Sequence, residues 1–296
     1  MLRLGAIANE LSPSTERAFT LAQEWGLSEI ELHTVWEKNI EMLNDEEIGR
    51  LKDLLHKHQL HLCCLSSTVF LRCHLDDRDE PIEWHTSFRS INGRYAEHLH
   101  ALERCLAIAT VLEAPLVRIF GFWRTGPTLE ETFQEAAERI RPGIRMAEAA
   151  GIPLALENCP HTYFDWGRRA ARLLEIVDSP WLQLLWDPCN ALRSDEPDYL
   201  EAYGVVRQRL AHVHAKDVRI DPDLDQGRVY TPIGQGQVEW REILDCLERD
   251  HYEGVVSLEP HHVGPDGTLE TSAAASFEGL EGMNNLLRST PEINEG

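Results

Sequence analysis

The chain has 296 residues, with 28 lysines and arginines against 50 aspartates and glutamates, a formal net charge of −22. That length suits one large α/β barrel or two ordinary domains, and a hydrophobic fraction of 43% supplies a sizeable core. The acidity weighs against nucleic acid and anionic membrane as partners, because both require a positive footprint, and no apolar run reaches the ~20 residues of a membrane-spanning helix.

Short β-prone runs alternate with long amphipathic segments, eight of each. Strands are predicted at Arg3–Ala8, Glu29–His33, Leu60–Ser66, Leu116–Phe120, Pro153–Glu157, Leu182–Asp187, Ala211–Lys216 and Val255–Glu259. The first helix is predicted from about Ser14 to Trp25, with Gly26 as its C-terminal stop. The second opens at Asn44-Asp45, with Glu46 and Glu47 favourably placed in its first turn. Thr128 and Glu131 have capping-box spacing, and the helix they would open ends at Gly151. The last helix is predicted over about Ser272 to Leu287. Residues 1–288 then form the folded unit, and residues 289–296 a fraying tail.

Eight β/α alternations without a break in composition predict a single (β/α)8 barrel. The competing doubly wound sheet would favour a glycine-rich turn after the first strand, where Ile7-Ala8-Asn9-Glu10-Leu11 has none. Two long connections, Arg72–Glu80 after strand three and Asp217–Gly236 after strand seven, would lie on the C-terminal face, where barrel active sites are built. The opening residues lack the apolar core of a signal peptide. The seven cysteines (63, 64, 73, 105, 159, 189 and 246) are odd in number and show no zinc-type CxxC pair. Reduced thiols in a cytoplasmic protein are expected.

Side chains alternate across a strand, so parity sorts them into faces. In strands five to eight the apolar face should pack on the helices. The other face then presents Glu157, Asp187, His214 and Glu259 at the C-terminal mouth. Carboxylates gathered there would repel one another and lose solvation, and a divalent cation removes both penalties. Three carboxylates with one imidazole suit Mn2+, Mg2+, Co2+ or Zn2+, and the lack of thiolates argues against a structural zinc. A lone acid at a strand end is more often a loop cap or salt-bridge partner, and His212 or His214 could be a core histidine. The shared parity and common end of all four favour metal binding.

The same residues carry a family resemblance. The stretches Leu4-Gly-Ala-Ile-Ala-Asn-Glu-Leu-Ser12, Glu29-Ile-Glu-Leu-His33, Leu154-Ala-Leu-Glu-Asn158, Leu185-Trp-Asp-Pro-Cys-Asn190, His212-Val-His-Ala-Lys-Asp217, Gly234-Gln-Gly-Gln-Val-Glu-Trp240 and Leu258-Glu-Pro-His261 span nearly the whole chain. In order and spacing they resemble the sugar phosphate isomerase/epimerase group of xylose isomerase-like barrels. That group also contains tagatose epimerases, hydroxypyruvate isomerases, inosose dehydratases and endonuclease IV. The resemblance implies a metal site of Glu157, Asp187, His214 and Glu259, and prefers His214 to His212 because His214 directly precedes the Ala-Lys-Asp element. The epimerases usually carry a histidine three positions after the strand-six aspartate. Here that position is Asn190, which can hydrogen-bond but cannot serve as an acid or base.

The implied chemistry is proton abstraction next to a carbonyl, through an enediolate, with Glu157 and Glu259 as catalytic residues on opposite faces of the substrate. Lys216 would steady an oxyanion, or else pair with Asp217. Arg118, inward on strand four, would hold a hydroxyl or phosphate, or form a structural pair inside the barrel. Asn190, His33 and His161 are further substrate-contact candidates. Trp36 and Trp123 could wall a sugar face, although packing is the commoner role. Cys63-Cys64 points to opposite faces, Gly234-Gln-Gly236 reads as a tight turn before a helix, and His56, His58, His98 and His100 are expected on solvated faces.

Four functions compete. The first is a metal-dependent isomerase or epimerase of a small sugar or sugar phosphate. The second is an inosose dehydratase-like lyase using the same metal and base. The third, an endonuclease IV-like repair enzyme, is opposed by the −22 charge and by Asn190. The fourth is a non-catalytic sugar-binding barrel. The expected partner is a small-molecule sugar, with no nucleic acid and no membrane, and a homo-oligomer is compatible with the sequence.

Overall fold

In the computed structural model, which describes residues 2–84, 88–224, 226–262 and 264–287, eight parallel strands close into a barrel. They are β1 (Arg3–Ile7), β2 (Glu29–Leu32), β3 (His61–Leu65), β4 (Val117–Ile119), β5 (Leu154–Glu157), β6 (Leu182–Trp186), β7 (Leu210–Ala215) and β8 (Val255–Leu258). Each strand pairs with its sequence neighbours, and β1 closes the circle against β8 with Arg3 opposite Val255 and Ala6 opposite Leu258. This is the expected (β/α)8 barrel. The tail at residues 289–296 falls outside the described residues.

Every predicted strand boundary falls within one residue of the observed one. The overrun is informative. His33, Asp187, Lys216 and Glu259 each directly follow or nearly follow a strand, where the chain has left the ladder and the side chain turns to the mouth.

The helices around the barrel are α1 (Thr15–Glu24), α2 (Asp45–Lys57), α3 (Tyr95–Leu112), α4 (Glu130–Ala150), α5 (Gly167–Val177), α6 (Tyr199–Val206), α7 (Trp240–Arg249) and α8 (Leu269–Leu287). Ser14 caps α1 by accepting from the Arg17 amide, and Gly26 follows its end at φ +72°. Asn44 and Glu47 form a reciprocal capping box at the start of α2. The expected Thr128–Glu131 box does not form. The Thr128 hydroxyl donates to the Tyr163 carbonyl, and Thr132 accepts from the Leu129 amide one position later. Helix α4 does end at Gly151, which adopts φ +70°. Among the described residues no helix is long and apolar enough to cross a membrane.

Two connections build the rim of the mouth. Residues 66–94 carry no helix or named strand among those described, and isolated bridges tie Arg72 to Asn92 and His74 to Trp123. The connection after β7 is not a simple loop: Asp217–Ile220 pairs antiparallel with Arg228–Thr231. Asp217 organises its return. The carboxylate accepts from the amides of Val218, Gly234, Gly236 and Val238 at 2.8–3.0 Å. A Cβ at Gly236 would lie 2.1 Å from Asp217 Oδ1, so this approach requires glycine.

All seven cysteines are free thiols, six buried and Cys246 half-buried. His98, expected on a solvated face, is fully buried. Its Nδ1 accepts from the Phe70 amide at 3.0 Å, because α3 turns this face inward onto the β3–α3 connection.

Candidate metal centre

Glu157 ends β5, Asp187 follows β6, His214 lies in β7 and Glu259 follows β8. All four are buried, and each offers a ligand atom within 4.8 Å of the others. Asp187 also caps the short helix Pro188–Arg193 by accepting from the Asn190 amide at 2.8 Å. This uses Oδ1 and leaves Oδ2 facing the cluster. His214 Nδ1 lies 3.2 Å from Glu259 Oε2 and 3.7 Å from Glu157 Oε1.

Two buried polar atoms of this set, His214 Nδ1 and Asp187 Oδ2, have no hydrogen-bond partner. Asp187 Oδ2 instead meets the Lys216 ammonium as an ion pair at 2.6 Å. Oxygen and nitrogen donors that converge this closely are what a divalent cation requires. The four residues therefore form a cluster suited to a metal ion, and the oxygen-rich set with one imidazole fits Mg2+, Mn2+, Co2+ or Zn2+.

The charges around the cluster are uneven. Burial pushes Glu157 upward, but Arg118 and His214 outweigh it and hold its carboxyl below the usual range. The same opposition, with Lys216, His261 and His214 as the cations, holds Glu259 well below. Asp187 goes the other way: burial and then repulsion from Glu259 and Glu157 prevail over Lys216, so its proton is retained to higher pH. A divalent cation beside Asp187 would favour its ionised form.

Each further candidate has a definite place. Arg118 is buried, with Nη1 3.0 Å from Glu157 Oε2 and 4.0 Å from Glu259 Oε1. Lys216 pairs with Asp187 and Glu259, not with Asp217, whose carboxylate is taken up by backbone amides. Asn190 donates to Glu157 Oε1 at 3.2 Å and to the Asn158 carbonyl at 3.0 Å. His33 is engaged at both ring nitrogens, by Thr34 and by the Arg89 carbonyl, and stacks on Phe88 with centroids 4.6 Å apart. His161 stacks on Trp123 at 5.5 Å. Burial pushes both histidines down to about 4, aided by nearby arginines. Trp36 is engaged elsewhere, donating to Glu16 beneath the Arg50 guanidinium.

Sequence reasoning missed Glu31. It is fully buried in β2, with Oε2 2.9 Å from His212 Nε2 and Oε1 3.0 Å from His214 Nε2, and it accepts from Ser66. This contact fixes His214 with Nδ1 toward the cluster, the carboxylate–histidine support common behind metal ligands. A register shift between β2 and β3 at Ile30/Glu31 accompanies it. Glu31 shares inward parity with His33, so the signal was available. The Glu10–His261 pair was also missed. His261, at φ +56°, is tied to Glu10 by its amide (3.1 Å) and ring (3.2 Å), with Nε2 3.5 Å from Glu259 Oε1.

Above the cluster lies a cavity of about 770 Å³, lined among others by His33, Trp84, Phe120, His161, Tyr230 and His261. This is the size of a small-molecule site. A family model described as the xylose isomerase-like TIM barrel matches residues 19–284. The chain belongs to that family. It is 25% identical over 142 residues to an inosose dehydratase of Clostridium perfringens, covering 44% of this chain and 48% of the relative. It is 23% identical over 168 residues to an L-ribulose-5-phosphate 3-epimerase of Escherichia coli, covering 55% and 56%. The chain spans about half the length of these curated relatives. A xylose isomerase-like TIM barrel protein from Mycobacterium smegmatis, solved with magnesium, superposes with a TM-score of 0.70 at 19% identity, covering 97% of this chain and 98% of that one, a likeness of fold.

Proposed function

We propose that this family member is a metal-dependent isomerase or epimerase of a small sugar or sugar phosphate, working by proton transfer through an enediolate. The observation that carries the reading is the meeting of two buried glutamates, Glu157 and Glu259, both lining the floor of the cavity, with Asp187 and His214, all four offering ligand atoms within 4.8 Å of one another. Glu157, Asp187, His214 and Glu259 would hold the metal. When bound, it would polarise the substrate carbonyl or hydroxyl and favour ionisation of the adjacent carbon.

The protein's own groups divide the remaining work. Glu157 and Glu259 are kept ionised by their cationic neighbours, so either can accept a proton at neutral pH. One takes the proton from carbon and the other returns one from the opposite side. Asn190 orients Glu157 by donating to its Oε1. Lys216 and Arg118 supply fixed positive charge beside developing oxyanions. Similarity to an L-ribulose-5-phosphate 3-epimerase supports the substrate class.

A lyase reading, removing water from an inosose-like ketone, is supported by a relative named inosose dehydratase and by His261. That ring borders the cavity beside Glu259 and could protonate a departing hydroxyl. Deuterium incorporation from D2O into ketoses, ketose phosphates and inososes, followed by NMR, tests both. Exchange with the substrate skeleton retained supports the isomerase, and exchange with loss of water supports the lyase. Glu157→Gln and Glu259→Gln should each reduce exchange by ~10²–10⁴-fold at measured metal occupancy. Unchanged exchange in both would refute the two-glutamate mechanism.

A further inference from the structure

The rim of the cavity differs in charge from its floor. At the floor, Arg118 and Lys216 are committed to Glu157, Glu259 and Asp187. At the rim, Arg193 and Arg228 also line the cavity, yet among the described residues neither forms an ion pair with a carboxylate. Unpaired guanidiniums at one wall of a cavity are notable in a chain with 50 acidic side chains.

Arg193 projects from the end of the helix Pro188–Arg193 that Asp187 caps. Its Nη1 donates to Asn190 Oδ1 at 3.3 Å, and its Nε is buried without a partner. An unmet buried donor is a standing cost that an incoming acceptor can remove. The guanidinium carbon lies 5.3 Å from the Tyr230 ring centroid. Tyr230 and Arg228 are two residues apart in the hairpin strand Arg228–Thr231, so they share a face, and both border the cavity. Asn190 connects this wall to the floor, since it also donates to Glu157. A ligand of a few carbons seated on the cluster would therefore place its far end among Arg193, Arg228 and Tyr230.

We propose that Arg193, Arg228 and Tyr230 form a subsite for an anionic terminal group, a phosphate ester or a carboxylate, on the carbonyl substrate. The proposal rests on the reading of the Glu157–Glu259 cluster as a site for polyhydroxy carbonyl compounds, and narrows it to charged ones. Arginine is the side chain suited to such groups, because its planar fork matches their oxygens. His161 is held neutral first by burial and then by the charges of Arg193, Arg228 and Arg124. Its ring thus adds a polar surface without competing for the anion.

The test uses three ketoses of one skeleton that differ at C6: D-fructose, D-fructuronate and D-fructose 6-phosphate. Each is titrated calorimetrically into the full chain loaded with Mn2+. At least one charged ketose should bind ~10–100-fold tighter than D-fructose, as expected for charge-assisted contacts to arginine. A preference for the 6-phosphate alone assigns a phosphate ester, and one for fructuronate alone a carboxylate. In Arg193→Gln/Arg228→Gln the ratio should collapse. If that variant does not fold, Arg228→Gln alone, at an exposed position, should reduce it. Equal affinities, a ratio that survives both variants, or no binding by any of the three overturns the subsite. Calorimetry needs no turnover. A charged-over-neutral ratio without D2O exchange would leave the subsite and refute the isomerase, while exchange with no charge preference would do the reverse.

Discussion

Replacing Arg118 with methionine should destabilise the metal-free protein far more than the metal-loaded one. The side chain is 1% exposed and lies 3.0 and 4.0 Å from carboxylate oxygens of Glu157 and Glu259. It also donates from Nε to the Ser67 carbonyl at 3.1 Å and from Nη2 to the Ser66 carbonyl at 3.3 Å. Removing one partner of a buried pair leaves an uncompensated charge and costs about 3–5 kcal/mol. In a chain of this length that is on the order of 10 °C in Tm. Arg118 and a divalent cation neutralise the same two glutamates, so each weakens the need for the other. Methionine should therefore tighten metal binding by roughly 10-fold or more, each factor of ten being worth ~1.4 kcal/mol. Scanning calorimetry of both proteins, chelator-treated and Mn2+-loaded, reads the effect as a larger metal-induced rise in Tm for Arg118→Met. An equal loss of Tm with and without metal would show that Arg118 acts through packing, and the electrostatic argument would fail.

Glu31→Gln removes the anion shared by His212 and His214, and should weaken metal binding by ~10–100-fold in a competition titration; unchanged affinity would mean that His214 is oriented without it. Asp217→Ala leaves the amides of Val218, Gly234, Gly236 and Val238 without their acceptor, and hydrogen exchange at those four should accelerate while that of the β5 amides stays as it was. Burial of His98 pushes its folded-state value down to about 4 from an ordinary 6.5, so the unfolded chain binds the extra proton between those limits. The resulting stabilisation, about 3 kcal/mol, is complete above pH 6.5 and lost as the pH falls toward 4. Urea unfolding of His98→Gln across that range should show a shallower pH dependence, and an unchanged slope would rule this origin out.

The barrel was legible because its strands are short and apolar and its helices carry ordinary stop signals. The cluster was legible because Glu157 and His214 take the inward parity of their strands, and Asp187 and Glu259 continue it one residue past the end of theirs at the same mouth. Where the chain departs from that regularity, the reading weakened. Glu31 sits at the register shift between β2 and β3, and its importance depends on contact with β7, some 180 residues away, which no local pattern encodes. Lys216 reads in sequence either as an oxyanion support or as a partner of Asp217, but adjacent residues at a strand end point apart, and the lysine meets Asp187 and Glu259 instead. The hairpin after β7 was less legible because each strand is only four residues long and the apolar side chains of Ile220 and Val229 lie exposed instead of packing on the core. His98 and His100 look alike in sequence, and only the docking of α3 buries one and exposes the other.

The distribution of thiols gives the molecule a built-in handle. Burial pushes the Cys73 and Cys159 thiols up to about 12 and also raises those of Cys63, Cys64, Cys105 and Cys189, so the reactive thiolate is scarce at all of them. Cys246 stands apart on α7, half-buried, with the Arg249 guanidinium 2.9 Å from its sulfur. To a maleimide reagent the folded protein should behave as a single-thiol molecule, although it contains seven. A fluorophore or spin label would then attach at one known point without mutagenesis, on a helix outside the mouth of the barrel. The appearance of further reactive sulfurs during heating would time the opening of the barrel itself.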